Sequence, residues 1–102
     1  MSFKKQYLKS KPICKVTFKL SKEEAQAAQK ARIVGDFNEW DLSTSPMKRL
    51  KNGDFTCSLN LAKDTQYEFR YLLDDERWEN DWKADAYVPS PVALADNSVV
   101  QV

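Results

Sequence analysis

Three stretches of this chain alternate apolar and polar residues with a period of two. In the first, Cys14, Val16, Phe18 and Leu20 are separated by Lys15, Thr17 and Lys19; in the second, Phe55, Cys57, Leu59 and Leu61 are separated by Thr56, Ser58 and Asn60. The third, Gln66–Leu73, sets Tyr67, Phe69 and Tyr71 against Glu68, Arg70 and Leu72. Such a period belongs to strands buried on one face, so the chain is expected to bury its apolar faces between antiparallel sheets. The turn signal Lys51-Asn52-Gly53-Asp54 joins the second run to Met47–Leu50 as a hairpin. Ala31–Gly35 and Ser98–Val102 add short β-branched runs, and the count and spacing predict an all-β sandwich.

One segment breaks the β pattern. Ser21 followed three residues later by Glu24 forms a capping box ahead of Ala25–Gln29, predicting one or two helical turns on the surface between sheets. The basic segment 1–11 reads as a mobile N-terminal tail, and residues 12–102 as a single domain. Pro89, Ser90 and Pro91 predict a rigid loop before the last strand.

Sixteen Lys and Arg against fifteen Asp and Glu leave a formal charge of +1, which argues against a nucleic-acid partner. No apolar stretch reaches the ~20 residues that span a membrane, and no secretory signal pattern is present, so no membrane partner is expected and the expected location is cytoplasmic. The chain contains no histidine, which removes the usual zinc sets and every His-based triad; no metal site and no cofactor are expected. Cys14 and Cys57 match no metal or redox spacing and read as buried free thiols.

Gly35-Asp36-Phe37-Asn38-Glu39-Trp40-Asp41 ends a strand on a glycine and then sets two aromatics three residues apart. Phe37, next to the strand, is the candidate core plug, and Trp40, between two acids, the candidate exposed platform; the alternative is that Trp40 covers a sandwich edge. Arg70 lies on the face opposite Tyr71 and so points away from the aromatic core. An exposed indole beside a sheet-surface arginine suits a sugar, whose C–H face packs on a ring and whose hydroxyls take hydrogen bonds. The competing reading pairs Arg70 in solvent with Glu68, Glu76 or Glu79. The acids Asp74, Asp75, Glu76, Glu79, Asp81 and Asp85 raise glycoside hydrolysis, but acids in a turn beside Arg77 and Lys83 are expected to be solvated or salt-bridged, and no catalytic residue is expected.

Taken together, Gly35–Trp40, Tyr67–Tyr71 with Trp78, then Asp81, Asp85, Tyr87, Pro89, Pro91 and the closing Asp96–Val100 resemble carbohydrate-binding module family 48. That family includes N-terminal domains of isoamylases and glycogen branching enzymes and the glycogen-binding domain of the AMP-activated kinase beta subunit. The resemblance spans roughly residues 13 to 102. It implies an immunoglobulin-like sandwich of about six to eight strands, not an enzyme, binding α-1,4-linked glucan such as glycogen, starch or maltooligosaccharide. The carbohydrate-binding residues it implies are Trp40, Arg70, Trp78 and Asn97, with Leu94 from the loop before the last strand. That loop, Ser90–Ala95, departs from the Asn-Pro-Phe-Gly common in bacterial members, and Trp82 has no counterpart and is expected to cover an edge. The expected role is a free-standing glucan-binding module. The alternative is an interaction or regulatory module docking onto a glycogen-metabolising enzyme of glycoside hydrolase family 13 type.

Overall fold

The computed structural model describes residues 3–25, 28–42, 45–81, 83–89 and 96–102. Nine strands lie among them: β1 (Phe3–Tyr7), β2 (Ile13–Leu20), β3 (Ala31–Gly35), β4 (Lys48–Arg49), β5 (Phe55–Ala62), β6 (Gln66–Leu73), β7 (Arg77–Glu79), β8 (Ala86–Pro89) and β9 (Asp96–Gln101). One helical turn, α1 (Lys22–Ala25), separates β2 from β3. Sheet A has the order β1-β2-β5-β4, and sheet B the order β3-β6-β9-β8, with β7 also paired to β6. All pairings are antiparallel, and the two sheets pack as the expected sandwich.

The periodic runs account for the register. Leu20 lies opposite Phe55, Phe18 opposite Cys57, Val16 opposite Leu59 and Cys14 opposite Leu61, so the two apolar sets coincide. A slip of one residue would turn either set to solvent, and burying a Phe or Leu side chain is worth about 1.5–3 kcal/mol each. Across the core, the Phe18 and Phe69 rings meet edge to face at 5.3 Å, and Phe69 meets Tyr71 at 5.6 Å. Phe37 plugs the same cluster, 5.9 Å from Phe18 and 6.0 Å from Tyr67.

Three sequence expectations are corrected. Residues 3–7, read as part of a mobile tail, are an edge strand of sheet A in which Phe3 lies opposite Phe18 and is 4% exposed. Its basic composition misleads because Lys5 shares the parity of Phe3 yet reaches the sandwich edge, where its Nζ lies 2.7 Å from Asp85 Oδ2; a charged side chain turned inward at an edge discourages further strand pairing. The 21–30 segment is not wholly a surface connection. The Ser21–Glu24 box forms, with Glu24 N donating to Ser21 Oγ at 3.2 Å and Ser21 N to Glu24 Oε1 at 3.1 Å, but Ala25 and Ala28 enter the core because small side chains let the chain approach the sheets closely. Of the two free cysteines, Cys14 is buried as expected, whereas Cys57 is half-buried; its desolvation raises the thiol pKa and leaves it a poor nucleophile.

Candidate functional site

The outer face of sheet B is assembled by β6. The parity that sends Phe69, Tyr71 and Leu73 into the core sends Glu68, Arg70 and Leu72 to the opposite face. Register then sets Val34 of β3 beside Arg70, Trp78 of β7 beside Leu72, and Val99 of β9 beside Glu68. Val34, Leu72 and Val99 are buried yet lie outside the core between the sheets, so this face carries an apolar layer of its own.

A polar ladder crosses that layer. Arg70 Nε donates to Asn97 Oδ1 at 2.7 Å, and Asn97 Nδ2 donates to Glu68 Oε1 at 3.0 Å. Arg70 is 9% and Asn97 4% exposed, so Arg70 is not the solvated surface residue of the competing reading. It meets Glu68 through the Asn97 amide, which orients the guanidinium by a charge-assisted bond. Replacing Asn97 by alanine removes both bonds from this ladder. We expect a loss of about 1–3 kcal/mol in urea unfolding.

Trp78 stands at one end of this row with 44% of its surface exposed. Its strand is the return arm of a hairpin whose turn residues Asp74 and Asp75 both take left-handed backbone conformations, φ 52° and 59°, closed by Glu76 N donating to Leu73 O at 3.1 Å. Aspartate tolerates that conformation better than most residues.

Trp40 is linked to the other end of β6 through Asp36. It is half-buried rather than fully presented, and Trp40 Nε1 donates to Asp36 Oδ1 at 2.9 Å. The other oxygen of Asp36 accepts the backbone N–H of Glu68 at 2.9 Å, continuing the sheet ladder where β3 stops. Glu39 and Trp40 are both left-handed, φ 56° and 57°, a strained state for an aromatic residue. Asn38 holds it: Asn38 Oδ1 accepts from Gly35 N, and Asn38 Nδ2 donates to Ile33 O and Ser45 Oγ, all within 3.2 Å.

A family model for carbohydrate-binding module 48, the isoamylase N-terminal domain, matches residues 14–88. The chain belongs to that family. A comparison with curated proteins finds no match. The span matched to carbohydrate-binding module 48 includes Trp40, Arg70 and Trp78, while Asn97 lies beyond it and joins the row through β9. Leu94, expected to contribute from the preceding loop, and Trp82, expected to cover an edge, both lie outside the described residues.

Two residues of the module's outer face escaped the sequence reading as site members. Asp36 positions Trp40, and Glu68 ends the Arg70 ladder. Each had a visible signal: Asp36 directly follows the strand-ending glycine, and Glu68 shares its parity with Arg70 two residues on.

The acidic cluster of the module is structural where its bonds are seen. Asp81, expected to be solvated or salt-bridged, is fully buried: its Oδ2 accepts from Tyr71 Oη at 2.7 Å and its Oδ1 from Lys83 N at 2.8 Å, while Asp81 N donates to Ser98 Oγ at 2.9 Å. Burial, reinforced by the Asp81 carboxylate, pushes the Tyr71 phenol well above its usual pKa. Asp74 is held below the ordinary 3.8 first by the N–H groups of Gln29 and Lys30, and Asp75 first by hydrogen bonds from Lys30 and Arg32. A glycosidic general acid needs a raised pKa, the opposite of what these two show.

A depressed carboxylate adds stability that is complete above its unfolded pKa and disappears as pH falls through its lower folded value. Thermal unfolding should therefore hold steady above about pH 5 and decline below about pH 4. Asp74→Asn, which cannot ionise, should flatten the part of that decline due to Asp74; an equally steep decline would remove this residue from the account.

Proposed function

We propose that this module binds α-1,4-linked glucan, of the glycogen, starch or maltooligosaccharide class, without catalysing a reaction on it. Trp40 and Trp78 stack against sugar rings, and Arg70 with Asn97 hydrogen-bonds ring hydroxyls. The observation that carries this reading is the exposed Trp78 indole in register with Leu72, beside a buried Arg70–Asn97–Glu68 ladder on the same sheet face. Glu68 and Leu72, which neighbour the Trp40 anchor and Trp78, are four residues apart on β6, or ~14 Å at strand spacing. That separation favours an oligosaccharide over a single sugar.

A rigid face with its side chains already tied together needs little ordering on binding. With each exposed stacking contact or charge-assisted bond worth ~1 kcal/mol net, a single site should show a Kd on the order of micromolar to millimolar. Titration with a linear or cyclic maltooligosaccharide, followed by tryptophan fluorescence, should give a saturable response. A flat trace up to the solubility limit of the sugar would refute the reading.

A further inference from the structure

The net charge of +1 hides a separation of charge between the two sheets. Residues 3–20 and 48–63, which supply all four strands of sheet A, carry ten Lys and Arg against one acid, Asp54. Residues 31–41 and 66–102, which supply sheet B, carry four Lys and Arg against eleven acids. The strands of the two sheets are interleaved along the chain, so the separation arises only on folding.

Four of these cations lie on the outer face of sheet A in a regular array. Cross-strand register sets three rows: Gln6–Lys15–Asn60, Lys4–Thr17–Ser58, and Lys19–Thr56–Lys48. In each row every lysine lies directly opposite a hydroxyl or amide side chain and never opposite another lysine, which limits the like-charge repulsion that direct pairing causes. All four lysines are exposed, and the Thr17 and Ser58 hydroxyls pair at 2.9 Å in the middle of the array. Lys19 lies 3.5 Å from Asp54, while Lys4, Lys15 and Lys48 meet no carboxylate among the described residues. A shallow depression of about 540 Å³ runs past Lys4, Thr17, Lys19 and Thr56 to the edge at Phe3.

We infer that the outer face of sheet A docks a carboxylate-rich protein surface, independently of whatever the outer face of sheet B binds. The chemistry selects that partner. Specific and single-stranded nucleic-acid sites add arginine forks or aromatic stacking to a basic face, and the three rows contain neither. Stable membrane-surface binding adds inserted apolar side chains to the attraction of basic charge, and the residues between these lysines are hydroxyls and amides. Lysines spaced among short hydrogen-bonding groups suit Asp and Glu side chains and the amides around them. The acidic opposite sheet also gives the module a dipole that turns sheet A towards such a partner during encounter. A module with both faces occupied would bridge an acidic protein and the ligand of sheet B without competition between them, since the two faces are separated by the sandwich.

The test uses poly-L-glutamate as probe at physiological ionic strength, with phosphatidylserine-containing vesicles and duplex DNA as competing classes. The parent should bind poly-L-glutamate saturably and more tightly than either alternative. Lys15→Glu with Lys19→Glu should weaken it by about tenfold or more. Lys63→Glu with Lys83→Glu, the same change in net charge at exposed positions outside the rows, should stay within about twofold of the parent. Lys15→Gln with Lys19→Gln supplies a milder variant of the same face should the reversed one fold poorly. Equal losses in the face and control variants, no binding by the parent, or tighter binding to vesicles or DNA would overturn the inference. Maltooligosaccharide binding is read separately by tryptophan fluorescence and should be unchanged in the lysine variants, so failure on one face leaves the other face's result standing.

Discussion

Alanine at both Trp40 and Trp78 should abolish the saturable fluorescence response to maltooligosaccharide while leaving a folded sandwich. Each indole offers an apolar face to a sugar ring at ~1 kcal/mol, so a single substitution should weaken binding roughly fivefold and the pair beyond the reach of a titration that begins near millimolar. The two positions should differ in their effect on stability. Trp78 is 44% exposed on a three-residue strand, and its loss mainly uncovers Leu72. Trp40 is half-buried, bonded to Asp36 and held in a left-handed conformation, so removing it also frees the loop after β3. Trp40→Phe separates the roles, since it keeps a ring for stacking and loses the Nε1 bond. Binding by the double variant at parental strength would take both indoles out of the site.

The second large effect is expected at Gly35. Its backbone is extended, so the glycine is required by space and not by conformation. A Cβ at this position would collide with the carbonyl oxygen of Glu68 and lie 2.7 Å from Phe69 Cβ and 2.9 Å from Phe69 Cα. These are backbone and near-backbone atoms of the strand that carries Arg70, and they can yield only if β3 separates from β6. Gly35→Val should therefore cost about 3 kcal/mol or more and lower the thermal midpoint by roughly 10–20 °C, a large share of the 5–15 kcal/mol typical of a domain. A midpoint within a few degrees of the parent would show that the β3–β6 contact is looser than described.

What could be read from the chain follows from periodicity. β2, β5 and β6 show six or more residues of strict alternation, and their register follows from matching apolar sets. β7 and β8 span three and four residues, too short for a period to stand out, and β1 hides its alternation behind Lys5. The direction of Arg70 follows from parity alone, whereas its burial depends on Asn97, 27 residues away on another strand. Asp81 reads as one more acid in an acidic stretch because its partners, Tyr71 and Ser98, come from β6 and β9. The charge separation is likewise invisible in a total of +1, since successive basic and acidic segments are sorted onto opposite faces only by the sheet topology.

The most direct measurement of the central claim is a residue-resolved map of where glucan binds, taken from amide and indole N–H shifts in an NMR titration of the parent with maltooligosaccharide. Saturable shifts are expected at the Trp40 and Trp78 indoles and at the backbone of residues 68–72 and 97–99, with residues 15–19 and 56–60 unmoved. Shifts confined to sheet A, or none at either indole at saturating sugar, would contradict the claim.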